Sequence, residues 1–130
     1  MNPSSKNRAV VSSRAPRPVG PYPHARRLGN LLFLSGIGPR HPDTERIPEG
    51  IEAQTRACIE NLKAILEDAG SSLEKVVDVT VFLTNIDRDF AAFNRVYGEY
   101  FDAIRPTRTT VGVVALPVPI SVELKIIAES

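Results

Sequence analysis

Three polar residues interrupt regular patterns in the second half of the chain, and their types could perform chemistry. Asn94 lies on an aromatic helical face, where a buried amide costs about 1–3 kcal/mol unless it finds a hydrogen-bond partner. Arg108 begins a predicted strand directly after Pro106 and Thr107, and a guanidinium there can bind a carboxylate through two parallel hydrogen bonds. Glu123 points away from the apolar side of the last predicted strand.

Each of these residues also has a purely structural interpretation. Asn94 could hydrogen-bond a neighbouring loop, and Arg108 could be a solvated arginine at a strand start. Glu123 could belong to an exposed polar face shared with Ser121 and Lys125. Pattern alone favours the structural interpretation for Arg108 and Glu123, and it supports both interpretations of Asn94 equally.

Other catalytic signals are missing from the sequence. The Gly36-Ile37-Gly38 pattern lacks a third glycine, and Ser35 does not lie in the Gly-x-Ser-x-Gly turn of hydrolases. His24 and His41 have no partners at metal-ligand spacing, so we predict no metal. Cys58 lies on an apolar helical stripe and is predicted to be a small buried hydrophobe.

Two helices must position the candidate residues. Residues 51–69 carry apolar side chains at helical steps and end at Gly70, which predicts the first helix. The second is predicted over about 90–103, capped by Asp87 or Asp89.

The strands complete an α/β (α+β) arrangement. A hairpin is predicted at 26–36 around Gly29-Asn30, and a loop at 37–50. A strand at 76–84 should direct Val77, Val79, Val81 and Leu83 to one face, and strands at 108–116 and 120–128 follow. Two helices can cover only one face of such a five- or six-stranded sheet, so the other face should pack on a further copy of the chain.

Composition indicates one domain covering residues 1–130, in which 1–13 form a flexible terminus or an edge strand. The 130 residues are 42% hydrophobic and 24% charged, with a formal net charge of +1. This charge gives no general attraction to nucleic acid, and no apolar run is long enough to span a membrane. A single cysteine fits a cytoplasmic location.

The segments of the chain, taken together, resemble the RidA/YjgF family of reactive-intermediate deaminases. The similarity runs from about Arg14 to the C-terminus, and its order and spacing are specific. The segments that carry it are Gly20-Pro21-Tyr22, residues 29–36, Gln54-Thr55, residues 61–66, 69–73, 79–84 and 93–97, residues 106–111, and Val122-Glu123-Leu124.

This resemblance implies a chorismate-mutase-like fold, a homotrimer and active sites at the subunit interfaces. It maps substrate-binding residues onto Tyr22, Asn94, Arg108 and Glu123, with Ser35 and Gly36 lining the same pocket. Arg108 would hold the substrate carboxylate, and Glu123 would activate water against an imine carbon. The implied reaction converts enamines or imines to 2-oxo acids and ammonia without a cofactor.

Some positions depart from the common family pattern. Thr110 stands where many members have cysteine, and we include it with His24 of Tyr22-Pro23-His24 among the substrate-binding candidates. These departures resemble the 2-aminomuconate deaminase branch. A dicarboxylate of that kind needs a second anchor, for which the candidates are His24, Arg27, Arg40 and His41.

Three other functions stay open. They are a 2-iminobutanoate or 2-iminopropanoate deaminase, a non-catalytic regulator that binds small acids, and an endoribonuclease, an activity attached to some family members. The last is disfavoured because no basic stripe with interleaved aromatics is present.

Overall fold

The computed structural model describes residues 8–130 as one mixed sheet with two helices. A short 3-10 turn, Leu73–Lys75, precedes the fourth strand. In chain order the elements are β1 (Ala9–Val10), β2 (Ala25–Leu28), β3 (Leu31–Leu34), α1 (Ile51–Asp68), β4 (Val76–Leu83), α2 (Ile86–Phe101), β5 (Thr107–Gly112) and β6 (Val122–Glu129). The predicted hairpin, the loop at 37–50 and the first helix are confirmed.

The sheet has six strands in the order β1-β2-β3-β6-β4-β5. Only β4 and β5 pair in parallel, because α2 carries the chain back to the starting end of the sheet. The other neighbours are antiparallel. Strand β6 therefore lies in the middle of the sheet, and β5 lies at one edge.

Both helices pack on the same face of the sheet, as the element count predicts. They are joined at their surface by Arg56, which donates two hydrogen bonds to the Glu99 carboxylate. The other face of the sheet carries apolar side chains that stay partly exposed, including Phe33, Phe82 and Val111. The prediction of a sheet covered on one side is confirmed.

Helix α1 supplies the centre of the core. Gly70 follows it with φ +81, a left-handed conformation that glycine adopts without strain. Cys58 is fully buried, its thiol donates to the Ile37 carbonyl at 3.0 Å, and burial raises the pKa of that thiol. Its predicted role as a buried hydrophobe is thus confirmed.

Three local predictions are wrong. Helix α2 begins at Ile86, four residues earlier than predicted, and its cap is Asn85. Strand β5 ends at Gly112 instead of continuing to Leu116. Val77 does not point with Val79, because a bulge between Val76 and Asp78 shifts the register and leaves Val77 44% exposed.

The N-terminal segment is only partly described. Ala9 and Val10 form the edge strand β1, which pairs with Arg26 and Ala25. The prediction for residues 1–7 lies outside the described residues. Over 8–130, neither helix has the length and apolarity needed to cross a bilayer.

Replacement of Asn85 by alanine tests the corrected start of α2. The Asn85 side chain accepts a hydrogen bond from the Arg88 amide at 3.2 Å, and its loss should lower the free energy of unfolding by about 1 kcal/mol. Asp87→Ala is the matched control, because Asp87 contributes only a first-turn charge and should cost less. Urea unfolding measures both, and a larger loss at Asp87 would contradict the assignment of the cap.

Candidate functional site

Glu123 lies beside a small cavity close to the end of β3. The cavity has a volume of about 50 Å³, and its lining includes Tyr22, Ser35 and Gly36. Within residues 8–130 the half-buried Glu123 carboxylate has no hydrogen-bond or ion-pair partner, and burial alone raises its pKa. The structure thus brings four predicted site residues, Tyr22, His24, Ser35 and Gly36, to the same cavity as a fifth, Glu123, whose raised pKa suits it to proton transfer.

The Glu123 carboxylate lies close to the backbone of Gly36. A Cβ atom on Gly36 would overlap the Glu123 carboxylate and displace it. Next to it, the Ser35 hydroxyl donates to the Pro23 carbonyl at 2.7 Å, and the Ser35 amide donates to the His24 carbonyl at 3.0 Å. The proline-containing segment before β2 is thereby tied to the end of β3.

Tyr22 and His24 line the same cavity in different ways. Tyr22 is 40% exposed, and its phenol oxygen accepts from the Val19 amide at 3.3 Å. His24 is only 4% exposed: its Nδ1 accepts from the Ser12 amide at 3.0 Å, and its Nε2 lies 2.8 Å from the Pro16 carbonyl, to which it must donate. Both ring nitrogens are therefore occupied by backbone groups, and we assign His24 a structural role.

Arg108 is held by α2 on the helix-covered side of the sheet. Its Nη2 donates to the Asn94 Oδ1 at 2.8 Å. Its guanidinium carbon lies 5.9 Å from the ring centroid of Phe90, 5.5 Å from that of Phe93 and 4.8 Å from that of Tyr97. Rings at these distances attract a cation and restrict its orientation. Asn94 thus has its hydrogen-bond partner, and that partner is the other predicted site residue.

Two buried hydroxyl groups lie in the same region of the fold. Thr110 follows Arg108 by two residues on β5, and Tyr97 lies beneath the guanidinium. Neither hydroxyl has a hydrogen-bond partner among residues 8–130. Burial raises the pKa of Tyr97 to about 12, and the nearby Arg108 opposes that rise. Thr110 does not line the Glu123 cavity, and its hydroxyl is shielded from solvent.

A second cavity, of about 250 Å³, borders Arg108. It is lined by Tyr97, Gly98, Phe101, Asp102, Arg105, Pro106 and Arg108. It shares no residue with the cavity at Glu123. The candidate residues thus form two groups, which we name the Glu123 half (Tyr22, Ser35, Gly36, Glu123) and the Arg108 half (Asn94, Arg108, with the three rings of α2).

The two halves lie on opposite faces of the sheet. Arg108 is opposite the buried Val79, so it points to the helices, whereas Glu123 alternates with buried neighbours and points away from them. Val111 and Glu123 are both opposite Phe82. Strand spacing and rise then place the Cα atoms of Arg108 and Glu123 roughly 14 Å apart. One chain alone cannot bring both side chains to one small substrate.

The cavity at Glu123 is also too small for a substrate. A volume of about 50 Å³ holds a few water molecules, whereas ligand pockets are usually about 300–1,000 Å³. The Glu123 half is therefore an incomplete pocket in the single chain.

The basic residues predicted as candidates for the second anchor make contacts within the chain. Arg27 donates to the Ala69 carbonyl, and Arg40 donates to Glu45 and to the Arg17 carbonyl. His41 Nδ1 accepts from the amides of Asp43 and Thr44. His41 also lines a different groove, against α1.

The sequence reasoning missed two features of the site. The aromatic rings around Arg108 come from Phe90, Phe93 and Tyr97, whose spacing of three and four residues was a usable signal. Arg17 lines the Glu123 cavity as an exposed cation, and its position in a proline-rich loop gave no comparable signal.

Comparison with known proteins gives matches over nearly the whole chain. The family described as Endoribonuclease L-PSP matches residues 12–130. A RutC family protein of Pyrococcus abyssi is 46% identical over 120 residues, which cover 92% of this chain and 94% of the relative. The Escherichia coli protein named "Putative reactive intermediate deaminase TdcF" is 40% identical over 122 residues, covering 92% and 94%. The crystal structure of E. coli TdcF with bound serine superposes with a TM-score of 0.88 at 38% identity, covering 94% of this chain and 98% of that one.

Glu123→Gln should stabilise the protein at neutral pH, because it removes a carboxylate whose ionisation is opposed by burial. The pKa of Glu123 in the folded state lies above that of an unfolded glutamate, so the folded state binds the proton more tightly. As pH rises from the ordinary value through the raised one, the unmodified protein loses stability that the variant keeps.

Urea unfolding between about pH 4 and 7 measures this difference. The stability gap between the two proteins should widen with pH and then level off. Glu129→Gln, an exposed position on the same strand, is the matched control and should show no such widening. A gap at Glu123 that is independent of pH would show that its carboxyl group ionises as freely as one in water.

Proposed function

The chain belongs to the RidA/YjgF family of reactive-intermediate deaminases, and from that premise we propose that it hydrolyses small carboxylate-bearing imines or enamines to 2-oxo acids and ammonia. The observation that carries the proposal is that the chain presents two specialised groups, on opposite faces of its sheet. One is a guanidinium held by an amide and three rings, and the other is a half-buried carboxyl group without a partner in the described chain. A relative at 40% identity that is named as a reactive intermediate deaminase supports the same reaction class.

Arg108 anchors the substrate carboxylate in this mechanism. Asn94 takes one donor of the guanidinium, and the rings hold its plane, so the remaining donors are pre-oriented for a planar anion. Anchoring of this kind positions the imine carbon before reaction and reduces the entropy lost at the transition state.

Glu123 transfers protons between the attacking water and the substrate nitrogen. The imine reacts in its N-protonated form. The Glu123 carboxylate accepts a proton from water while the water oxygen bonds to the imine carbon, which gives a neutral tetrahedral amino alcohol. Glu123 then returns that proton to the nitrogen. As the carbon–nitrogen bond breaks, the hydroxyl group gives its proton to the Glu123 carboxylate, so ammonia leaves, the 2-oxo acid remains, and Glu123 releases the proton to solvent. An enamine first takes a proton on carbon to give the protonated imine. No step requires a cofactor.

The active site is assembled from two chains, with the Arg108 half of one protomer facing the Glu123 half of its neighbour. The opposite orientation of the two residues within one chain supports this arrangement, as does the small size of the Glu123 cavity. A cyclic trimer contains three such interfaces and buries the partly exposed apolar sheet face.

Within this class we propose a dicarboxylate enamine such as 2-aminomuconate as substrate, with 2-iminobutanoate or 2-iminopropanoate as the alternative. A regulator that only binds small acids would not need a partnerless buried carboxyl group beside the pocket. The family description favours an endoribonuclease as a further candidate. Against it, both nitrogens of His24 are occupied, and His41 lies in a separate groove.

Arg108→Lys should lose most of the deaminase activity while the fold is retained. A point charge cannot reproduce a bidentate contact worth about 1.5–3 kcal/mol, so kcat/KM should fall by roughly ten- to a hundredfold. Circular dichroism and turnover of 2-iminobutanoate compare the variant with Arg95→Lys, an exposed arginine of α2 paired with Glu52. Full turnover in the Arg108 variant would exclude the residue as the carboxylate anchor.

Mixed trimers test the division of the site between chains. Arg108→Lys and Glu123→Gln are each expected to be poorly active. When the two are unfolded and refolded together in equal amounts, about a quarter of the interfaces should pair an intact Arg108 with an intact Glu123 and regain activity. Light scattering should give about three times the mass of one chain. Refolding each variant alone is the control, and a mixture with no gain in activity would place both residues in one chain's site or in none.

A further inference from the structure

Arg17 is a cation at the Glu123 cavity that the reaction described above does not use. It lines the cavity together with Tyr22 and Glu123, and its side chain is exposed. Across the part of the chain that the structure describes, its guanidinium has no ion pair and no hydrogen bond, although its backbone carbonyl is an acceptor. A guanidinium in this setting can bind an incoming anion without breaking an existing contact.

The backbone around Arg17 is fixed on both sides. Pro16 and Pro18 restrict their own φ angles. The Pro16 carbonyl accepts from the buried His24 ring at 2.8 Å, and the Arg17 carbonyl accepts from Arg40 Nη2 at 2.6 Å. A loop held by two side chains and two prolines fixes the point from which the Arg17 side chain extends, which lowers the backbone entropy lost on binding.

His24 and Arg40 therefore hold the backbone around Arg17. Arg40 has a side chain only 15% exposed and also pairs with Glu45 at 3.0 Å. His24 has both nitrogens engaged. Both residues are among the predicted substrate anchors, and in the structure they hydrogen-bond the backbone of the segment that carries Arg17.

The walls of the cavity suit the middle of a short carbon chain. The lining includes apolar side chains from Val19, Val118 and Ile120 as well as the polar groups. The carboxyl group of Glu123 lies close to Gly36 at the same cavity. Glu123 thus lies near an apolar wall, with one cation in its own chain and, in the assembled site, a second cation from the neighbour.

We propose that Arg17 binds the distal carboxylate of a dicarboxylate imine or enamine whose proximal carboxylate is bound by Arg108 of the neighbouring protomer. This inference rests on the proposed function and specifies its substrate class. A monocarboxylate would leave Arg17 without a role in recognition, whereas a six-carbon dicarboxylate has a negative charge for each guanidinium. Electrostatic contact at the second charge selects the longer acid over the shorter one.

Arg17→Ala tests the proposal in turnover and in binding. In turnover, kcat/KM is measured for 2-aminomuconate and for 2-iminobutanoate, and the ratio of the two should fall at least about tenfold, mainly through KM. Arg17→Lys should recover part of this ratio, because it restores the charge without the fork of donors. Arg26→Ala, an exposed arginine of β2 outside the cavity lining, is the matched control and should leave the ratio as it is.

In binding, calorimetry compares the unreactive acids adipate and butanoate, which carry two and one carboxylates. Arg17→Ala should weaken adipate relative to butanoate by a similar factor. Equal changes for both acids, or none, would overturn the role of Arg17. Failure of the unmodified protein to deaminate either substrate would instead overturn the proposed function. The ratio of the adipate and butanoate affinities would then test the role of Arg17 without any activity measurement.

Discussion

Successive residues of a strand point to opposite faces of a sheet, and this constraint governs the candidate site more than any single contact. Arg108 shares the side of the buried Val79, whereas Glu123 alternates with buried neighbours and faces the other way. No rotamer change can bring these side chains together, because the sheet lies between them. In the proposed mechanism, the chemistry therefore depends on how the sheets of two chains meet, and the uncovered face contributes to the site.

Stability and function compete at the Glu123 half. A half-buried carboxyl group with no partner in the described chain is unfavourable when ionised, and the raised pKa reports that cost. A carboxyl group of this kind is typical of active sites, where local stability is exchanged for reactivity. Elsewhere in the fold, the N-terminal segment is joined to α1 by the Ser12 hydroxyl, which donates to Asp68 at 2.6 Å, and by Arg14, which pairs with the same carboxylate at 2.9 Å.

Sequence patterns predicted the elements whose signals are periodic and local. The hairpin, α1 and the sidedness of the sheet follow from apolar spacing and from glycine positions. The bulge at Val77 could not be predicted, because it arises from pairing between β4 and β6, which are distant in sequence. The start of α2 was misplaced because Asp87 and Asp89 competed as caps with Asn85, and only the hydrogen bond to Arg88 decides among them.

For the site, Asn94 was identifiable as a polar residue on an aromatic face, and its contact with Arg108 explains why it is there. Glu123 had no distinguishing pattern, since its importance depends on burial by Gly36 and the loop before β2. Arg17 could not be separated from the other basic residues near it, because what distinguishes it is the absence of a partner among the described residues. Contacts between distant segments are the information that local patterns do not contain.

The buried thiol of Cys58 has a consequence for how the protein's motions can be followed. It lies on α1 against the loop after β3, donates to the Ile37 carbonyl and is fully enclosed. A soluble thiol reagent reacts with the thiolate and needs access to the sulfur, so it can modify Cys58 only when α1 separates from the sheet. With one cysteine in the chain, the rate of covalent labelling reports a single event. The labelling rate of Cys58 therefore measures how often the core of the protein opens.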